Sequence, residues 1–155
     1  MLSVTVLCVG KTNEAYVQSA IDKYSLLLSR YCKFDIQELP DVKNANKLPP
    51  DKLKEAEASV ILNAIPAKAC VLLLDENGRQ YNSTAFAAFI DKRTTEFSKI
   101  CFVIGGSYGL HEQVRTKGES IALSAMTFNH QMVRAILAEQ LFRAFTIIKN
   151  TGYHH

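Results

Sequence analysis

The chain has 155 residues, of which 48% are hydrophobic and 21% charged, and its net charge is +3. These values exclude a disordered chain and predict one globular domain over residues 1–155, large enough to bury a single core. The mild positive charge allows an anionic partner such as nucleic acid, but it does not by itself indicate one.

The four cysteines, Cys8, Cys32, Cys70 and Cys101, show no CxxC spacing. Three of them lie in apolar runs, so we expect buried thiols in a reducing cytosol and no metal site. The amino-terminal segment MLSVTVLCVGK has no basic lead-in, and its apolar part is too short for a signal or a membrane-spanning helix. We therefore expect a cytoplasmic protein.

The chain begins with a strand followed by a helix. The apolar run SVTVLCVG predicts a strand buried on both faces and closed by Gly10. Asn13 is the expected cap of the next helix. The buried stripe of that helix is predicted to contain Tyr16, Ala20, Tyr24, Leu27 and Tyr31.

A second strand and helix follow. The alternating segment FDIQELP predicts a short strand, and DVKNANKLPP predicts a polar loop. Pro50 suits the first turn of a helix that continues to about Ala64. The face predicted to be buried contains Leu53, Ala56, Val60 and Ala64.

The second half repeats the alternation of strands and helices. ACVLLLDENG predicts a buried strand that ends in a turn at Asn77 and Gly78, and Ser83 is the expected cap of a helix carrying Phe86, Phe89 and Ile90. KICFVIGG predicts another buried strand. A short helix from Glu112 to Lys117, a strand SIALS and a long helix that starts near His130 complete the chain.

This pattern predicts an α/β fold with a mostly parallel sheet and helices on both faces. Ligands of such sheets bind beyond the carboxyl ends of the strands. Three loops are expected there: the loop after Leu74, the loop after Ile104, and residues 123–129.

The segment VIGGSYGL places Gly105, Gly106 and Gly109 directly after a buried strand. Glycines there either form a tight turn or let the backbone approach a ligand closely, and the local sequence favours neither alternative. The spacing matches neither a Walker loop nor GxGxxG, so a nucleoside triphosphate site is not supported.

His130 and Arg134 are four residues apart and share one helix face. A histidine at a helix start tends to be neutral, so the pair suits a base beside an anion-binding group, although a structural role for Arg134 is the alternative. Glu139 and Arg143, with the same spacing, predict a structural ion pair. The rest of the helix is apolar around most of its circumference, which predicts cover by the sheet and by another subunit.

The chain ends in NTGYHH, where Tyr153 and His154 place an aromatic and a titratable group on a terminal segment. Such a segment either frays or folds over a site to contact an RNA base.

VIGGSYGL, LSAMTFNHQMVRAILAEQLFRAF and the terminal GYHH together resemble the RlmH family, and the resemblance extends over essentially the whole chain. Members are small SPOUT-class methyltransferases that use S-adenosyl-L-methionine to modify N3 of a pseudouridine in large-subunit (23S) ribosomal RNA. The resemblance implies a carboxyl-terminal trefoil knot and a homodimer whose active sites are completed at the subunit interface. It places the cofactor on Leu74, Gly105, Gly106, Leu123, Ser124, Ala125, Met126, Thr127 and Phe128.

For the implied reaction we expect Arg134 to stabilise the negative charge that develops on the acceptor base. His130 or His154 would accept the proton, and Tyr153 would stack on the base or hydrogen-bond to it. No metal is needed. Basic residues available for RNA are few, so the assembled ribosome is expected to supply most of the recognition; they are Arg115, Lys117, Arg134, Arg143 and Lys149.

Three alternatives remain open from the sequence. A dimer of this fold that has lost its cofactor would bind ribosomal RNA without catalysis. A knotted methyltransferase acting on transfer RNA would keep the chemistry and change the acceptor. A flavodoxin-like mononucleotide-binding protein fits the sheet pattern but leaves residues 123–134 unexplained.

Overall fold

A computed structural model describes all 155 residues. The strands are β1 (Ser3–Val9), β2 (Lys33–Leu39), β3 (Cys70–Gln80), β4 (Lys99–Ile104) and β5 (Glu119–Ala122), in the spatial order β2-β1-β4-β3-β5. Every neighbouring pair is parallel. The carboxyl ends of all five strands therefore meet at one edge, and the predicted α/β class is confirmed.

Helices cover both faces of this sheet, because strands such as β1 alternate apolar side chains between the two sides. The helices are α1 (Ala15–Leu28), α2 (Pro50–Ala64), α3 (Ser83–Glu96), α4 (Glu112–Arg115) and α5 (His130–Ile148). Residues of α1, α3 and α5 pack with Val4, Val6 and Cys8 on one face. Residues of α2 and α4 pack with Leu7 and Val9 on the other. No helix combines the length and apolarity needed to cross a membrane.

The buried stripe of α1 lies one position away from the predicted one, and the buried stripe of α2 agrees with the prediction only at Leu53. In α1 the buried residues are Val17, Ile21 and Leu28, whereas Tyr16 is 63% exposed. The tyrosines have polar ends, so they lie at the margin while aliphatic side chains face the core. In α2 the buried residues are Leu53, Glu57, Ala58 and Ile61, so the small Ala58 rather than Ala56 faces the sheet.

Two predicted caps are also wrong by one residue. Glu14, not Asn13, is the residue preceding α1, and the Asn13 backbone N–H instead donates to Gln131 Oε1 at 2.9 Å. Asn82, not Ser83, caps α3 by accepting from the Ala85 N–H at 2.8 Å. Asn82 and Ser83 both have side chains that can cap a helix, and Asn13 and Glu14 both lie where α1 could begin. Tertiary contacts select one residue of each pair.

The predicted turn at Asn77 and Gly78 does not form. β3 continues to Gln80 through an irregularity in which both Leu74 and Arg79 pair with Ile121 of β5. A Cβ on Gly78 would lie 2.7 Å from the Ile121 backbone nitrogen, so the glycine is required by the close approach of β5 and not by a turn. This bulge carries Asp75 and Glu76 to the edge of the sheet.

The long helix α5 is covered within the chain. It packs between α1 and α3 on the sheet, and most of its residues are buried. Its half-buried apolar residues are Met132, Val133, Ile136, Ile147 and Ile148. The predicted cover of α5 by the rest of the chain is thus confirmed, and cover by another subunit stays a prediction.

Candidate active site

A cavity of about 580 Å³ opens at the carboxyl edge of the sheet. The three loops that the sequence places at this edge all contribute to its wall. Its volume lies within the roughly 300–1,000 Å³ that small-molecule sites occupy.

Most of the residues expected to hold a cofactor line this cavity, and Ala125 does not. His130, the first residue of α5, lines it as well. The expected cofactor residues in the wall are Leu74, Gly105, Gly106, Leu123, Ser124, Met126, Thr127 and Phe128.

The glycine turn after β4 folds back on itself. The Gly109 N–H donates to Gly106 O at 3.1 Å, and Gly109 has a φ of 83°, which favours glycine. A Cβ on Gly105 would lie 2.8 Å from the backbone carbonyl of Gly109. The turn therefore presents backbone to the cavity, and the positions where side chains of Gly105 and Gly106 would lie are already filled by other protein atoms.

Charged side chains that sequence reasoning missed form the rim of the cavity. Arg115 pairs with Asp75 at 3.2 Å, and the Thr127 hydroxyl donates to the Glu76 carboxylate. These contacts tie α4 and the 123–129 loop to the bulge in β3. Asp75 and Glu76 come directly after a buried run of the sequence, and this position could have indicated that they lie at the cavity. The predicted turn at Asn77 and Gly78 obscured that signal.

His130 binds a proton less readily than a histidine in water. Burial lowers the pKa of its imidazole, the charge of Arg134 lowers it further, and Asp41 acts in the opposite direction. Asn129 caps the helix by accepting from the Gln131 N–H at 2.8 Å. The cavity thus contains an imidazole whose neutral form, which can accept a proton, is favoured by its surroundings.

Arg134 does not face the cavity as expected from its spacing. The side chain is 1% exposed and reaches the end of β1. Its guanidinium donates to Val9 O at 2.8 Å, to Gly10 O at 2.9 Å and to Thr12 Oγ1 at 3.0 Å. Because these carbonyls lie where β1 leaves the sheet, the guanidinium is the donor that satisfies them, and it is not available to RNA.

The tail folds onto the carboxyl-terminal half of α5. Arg143 forms the predicted pair with Glu139 at 2.6 Å and lies 3.1 Å from His154 Nδ1. The Tyr153 ring packs edge-on against Phe142 with centroids 4.8 Å apart. Burial, followed by the neighbouring Tyr24, raises the pKa of the Tyr153 hydroxyl to about 12.

One chain does not bring the four expected catalytic residues together. Arg143, which holds the tail, is thirteen positions beyond His130 on the same helix. At 1.5 Å per residue the two lie roughly 20 Å apart along the axis. The cavity with His130 and the tail with Tyr153 and His154 are therefore two separate surfaces of the chain.

Comparison with known proteins shows a consistent family. A family model described as a predicted SPOUT methyltransferase matches residues 2–154. Relatives named ribosomal RNA large subunit methyltransferase H, from Christiangramia forsetii and Flavobacterium johnsoniae, are 43% and 41% identical over 99% of both chains. A Clostridium perfringens relative with the same name and the suffix 1 is 42% identical over 99% of both chains.

The crystal structure of TrmJ from Z. mobilis ZM4 has a similar fold. The TM-score is 0.56 at 10% sequence identity, and the match covers 94% of this chain and 70% of that chain. At this identity the likeness shows the fold alone.

Proposed function

Because the chain belongs to the SPOUT methyltransferase family, we propose that it is a methyltransferase of large-subunit ribosomal RNA that uses S-adenosyl-L-methionine. The observation that carries this proposal is the full-length match, at about 40% identity, to relatives named for that activity. The acceptor is N3 of a pseudouridine, as the resemblance implies. Its substrate would place the protein with ribosomes in the cytoplasm.

The cavity at the carboxyl edge is the proposed cofactor site. Bare backbone at Gly105 and Gly106 suits a ligand that needs close approach and backbone hydrogen bonds. Apolar walls from Leu74, Leu123 and Met126 suit the adenine ring. Ser124, Thr127 and Phe128 complete the wall, and Ala125 is an exposed residue of the same loop outside the cavity.

When bound, S-adenosyl-L-methionine supplies a methyl group activated on a sulfonium, so no metal is needed. The acceptor imide nitrogen must lose its proton as it gains the methyl group. We assign the receipt of that proton to His130, because its imidazole lines the cavity and its lowered pKa keeps it neutral. Positioning of the base against the methyl group supplies much of the remaining acceleration.

Arg134 receives a positioning role in this proposal. Its three hydrogen bonds fasten the first turns of α5 to the end of β1. Gln131 adds two more contacts from the same helix, to Asn13 N and Lys11 O. These contacts fix His130 relative to the glycine turn on the neighbouring strand β4.

The tail is proposed to contact the target nucleotide in the cavity of a second copy. Tyr153 offers a face for stacking and His154 a hydrogen-bonding group. A homodimer would resolve the roughly 20 Å separation within one chain. Arg115 lines the cavity and Lys117 is exposed two residues further along the chain, and the assembled ribosome would supply the remaining recognition.

Calorimetric titration with S-adenosylhomocysteine tests the cofactor site. The unaltered protein should bind it saturably, and Gly105→Val should abolish binding because the added side chain collides with the Gly109 backbone. Ala88→Val is the matched control, since it introduces the same side chain at an exposed position of α3 outside the cavity wall. A folded protein that fails to bind would favour a non-catalytic RNA-binding member of the family.

A further inference from the structure

Glu57 of α2 is a buried carboxylate that the proposed chemistry has not used. It is 7% exposed, and it faces the glycine turn after β4. Its carboxylate oxygens lie 2.5 and 3.0 Å from the position that a Cβ on Gly106 would occupy. Gly106 in turn lines the cavity, so only the backbone of one glycine separates this carboxylate from the ligand space.

The charge of Glu57 has no partner within the protein. None of the ion pairs of the chain includes it, and no side-chain or backbone group donates a hydrogen bond to it. Burial and the nearby Asp41 carboxylate both raise its pKa, as expected for a carboxylate without a compensating cation. His130, whose pKa is lowered, does not supply one.

A carboxylate held directly behind the wall of a cavity makes the electrostatic potential there more negative, which favours a positive group in that cavity. The residue between the carboxylate and the cavity is Gly106. Because glycine has no side chain, the carboxylate lies as close to the cavity as the intervening backbone allows. A cationic ligand on the far side of Gly106 would supply the missing partner.

We propose that Glu57 gives the cavity a preference for a ligand that is positively charged at the reacting centre over a neutral ligand of the same shape. This inference rests on the proposed function. It means that Glu57 favours the sulfonium substrate over the neutral thioether product, and so assists product release. Glu57 lies behind the glycine turn and acts on the ligand through its electrostatic potential. Since it does not touch the ligand, it is a positioning residue.

The test compares two ligands by calorimetry at one pH near 8. Sinefungin carries an amine-bearing carbon in place of the sulfonium and is cationic there, whereas S-adenosylhomocysteine is neutral at that position. Glu57→Gln keeps the shape and removes the charge. We expect it to weaken sinefungin binding by about tenfold and to change S-adenosylhomocysteine binding by less than about twofold.

Glu55→Gln is the matched control. It removes one negative charge from the same helix, but Glu55 is solvent-exposed and pairs with Lys52. Both ligands should bind this variant as they bind the unaltered protein. An equal loss for both ligands in Glu57→Gln, or an equal effect of Glu55→Gln, would overturn the inference while leaving the cofactor site intact.

Thermal unfolding without ligand gives an independent readout. If the Glu57 carboxylate stabilises the glycine turn, its neutralisation in Glu57→Gln should lower the melting temperature. An unpaired charge retained for ligand binding would raise it, and we expect Glu57→Gln to melt about 2–4 °C higher. A lower melting temperature would contradict the inference. Failure of the unaltered protein to bind either ligand would instead overturn the proposed function, and this inference with it.

Discussion

Arg134 illustrates how a charged residue can be central to a site without touching the ligand. A buried guanidinium that satisfies two backbone carbonyls and a hydroxyl stabilises the geometry of the strand end on which the cavity is built. Its Nε is buried and makes no hydrogen bond with another part of the chain.

Arg134→Ala should lower the free energy of unfolding by about 2–5 kcal/mol, because it leaves the Val9 and Gly10 carbonyls buried without donors. Urea denaturation measures this change. Arg30→Ala, at an exposed position, should change the free energy by less than about 0.5 kcal/mol. If Arg134→Ala keeps its stability and loses only methyl transfer, the residue acts directly on the substrate and the positioning role is wrong.

His130 should make the protein less stable as the pH falls. The folded protein holds the imidazole proton less tightly than the unfolded chain, whose histidine pKa is about 6.5. The contribution is therefore fully present above that value and is lost as the pH decreases towards the folded pKa. His130→Gln should lose less stability than the unaltered protein between pH 7.5 and 5.5 in urea titrations. Equal losses, with His155→Gln as a control, would contradict the lowered pKa.

At the scale of elements, hydrophobic periodicity was sufficient for the strands. The runs around Val6, Leu73 and Val103 are apolar on both faces, and this is the signature of a covered parallel sheet. Caps and helix faces were less predictable. Neighbouring residues such as Asn82 and Ser83 have similar intrinsic preferences, and contacts distant in sequence select between them.

Gly78 and Glu57 show more clearly that local sequence signals can be overridden by contacts distant in sequence. An Asn-Gly pair is a strong local turn signal, yet a register shift against β5 extends the strand through it. A glutamate in an amphipathic helix is normally assigned to the solvent face, and only the structure shows that Glu57 is buried.

The tail should be held by side-chain contacts that one substitution can remove. Arg143→Ala eliminates the bonds to Glu139 and His154 and the guanidinium over the Tyr153 ring, 4.9 Å from its centroid. Amide hydrogen exchange of residues 151–155 should become faster, while binding of S-adenosylhomocysteine is unchanged. Lys149→Ala, an exposed change on the same helix end, is the control. Unaltered exchange in Arg143→Ala would show that this cluster does not hold the tail.

At the scale of the whole molecule, the proposed function requires the cavity and the tail, which lie on distant surfaces, to act on one nucleotide. The loops of the cavity were predictable because the carboxyl ends of parallel strands meet at one edge. The position of the tail was not, because no local pattern states where a terminal segment folds back. The separation between His130 and Arg143 follows from the helix alone and makes a second copy the simplest completion of the site.

Mixed dimers test that arrangement. A Gly105→Val subunit retains its tail, and an Arg143→Ala subunit retains its cavity. If the tail of one subunit completes the cavity of the other, each homodimer is inactive but the heterodimer has one intact site and about half of the normal activity. If both parts come from the same chain, the heterodimer is inactive and the composite site is wrong.

The most direct measurement is methyl transfer to ribosomes that lack the modification, followed by mass spectrometric mapping of the labelled RNA. Purified protein and S-adenosyl-L-methionine carrying an isotopically labelled methyl group should label one pseudouridine of the large-subunit RNA, at N3. Gly105→Val should give no label, and Ala88→Val should give normal labelling. Absence of label from a folded protein that binds S-adenosylhomocysteine, or labelling confined to transfer RNA, would contradict the proposed function.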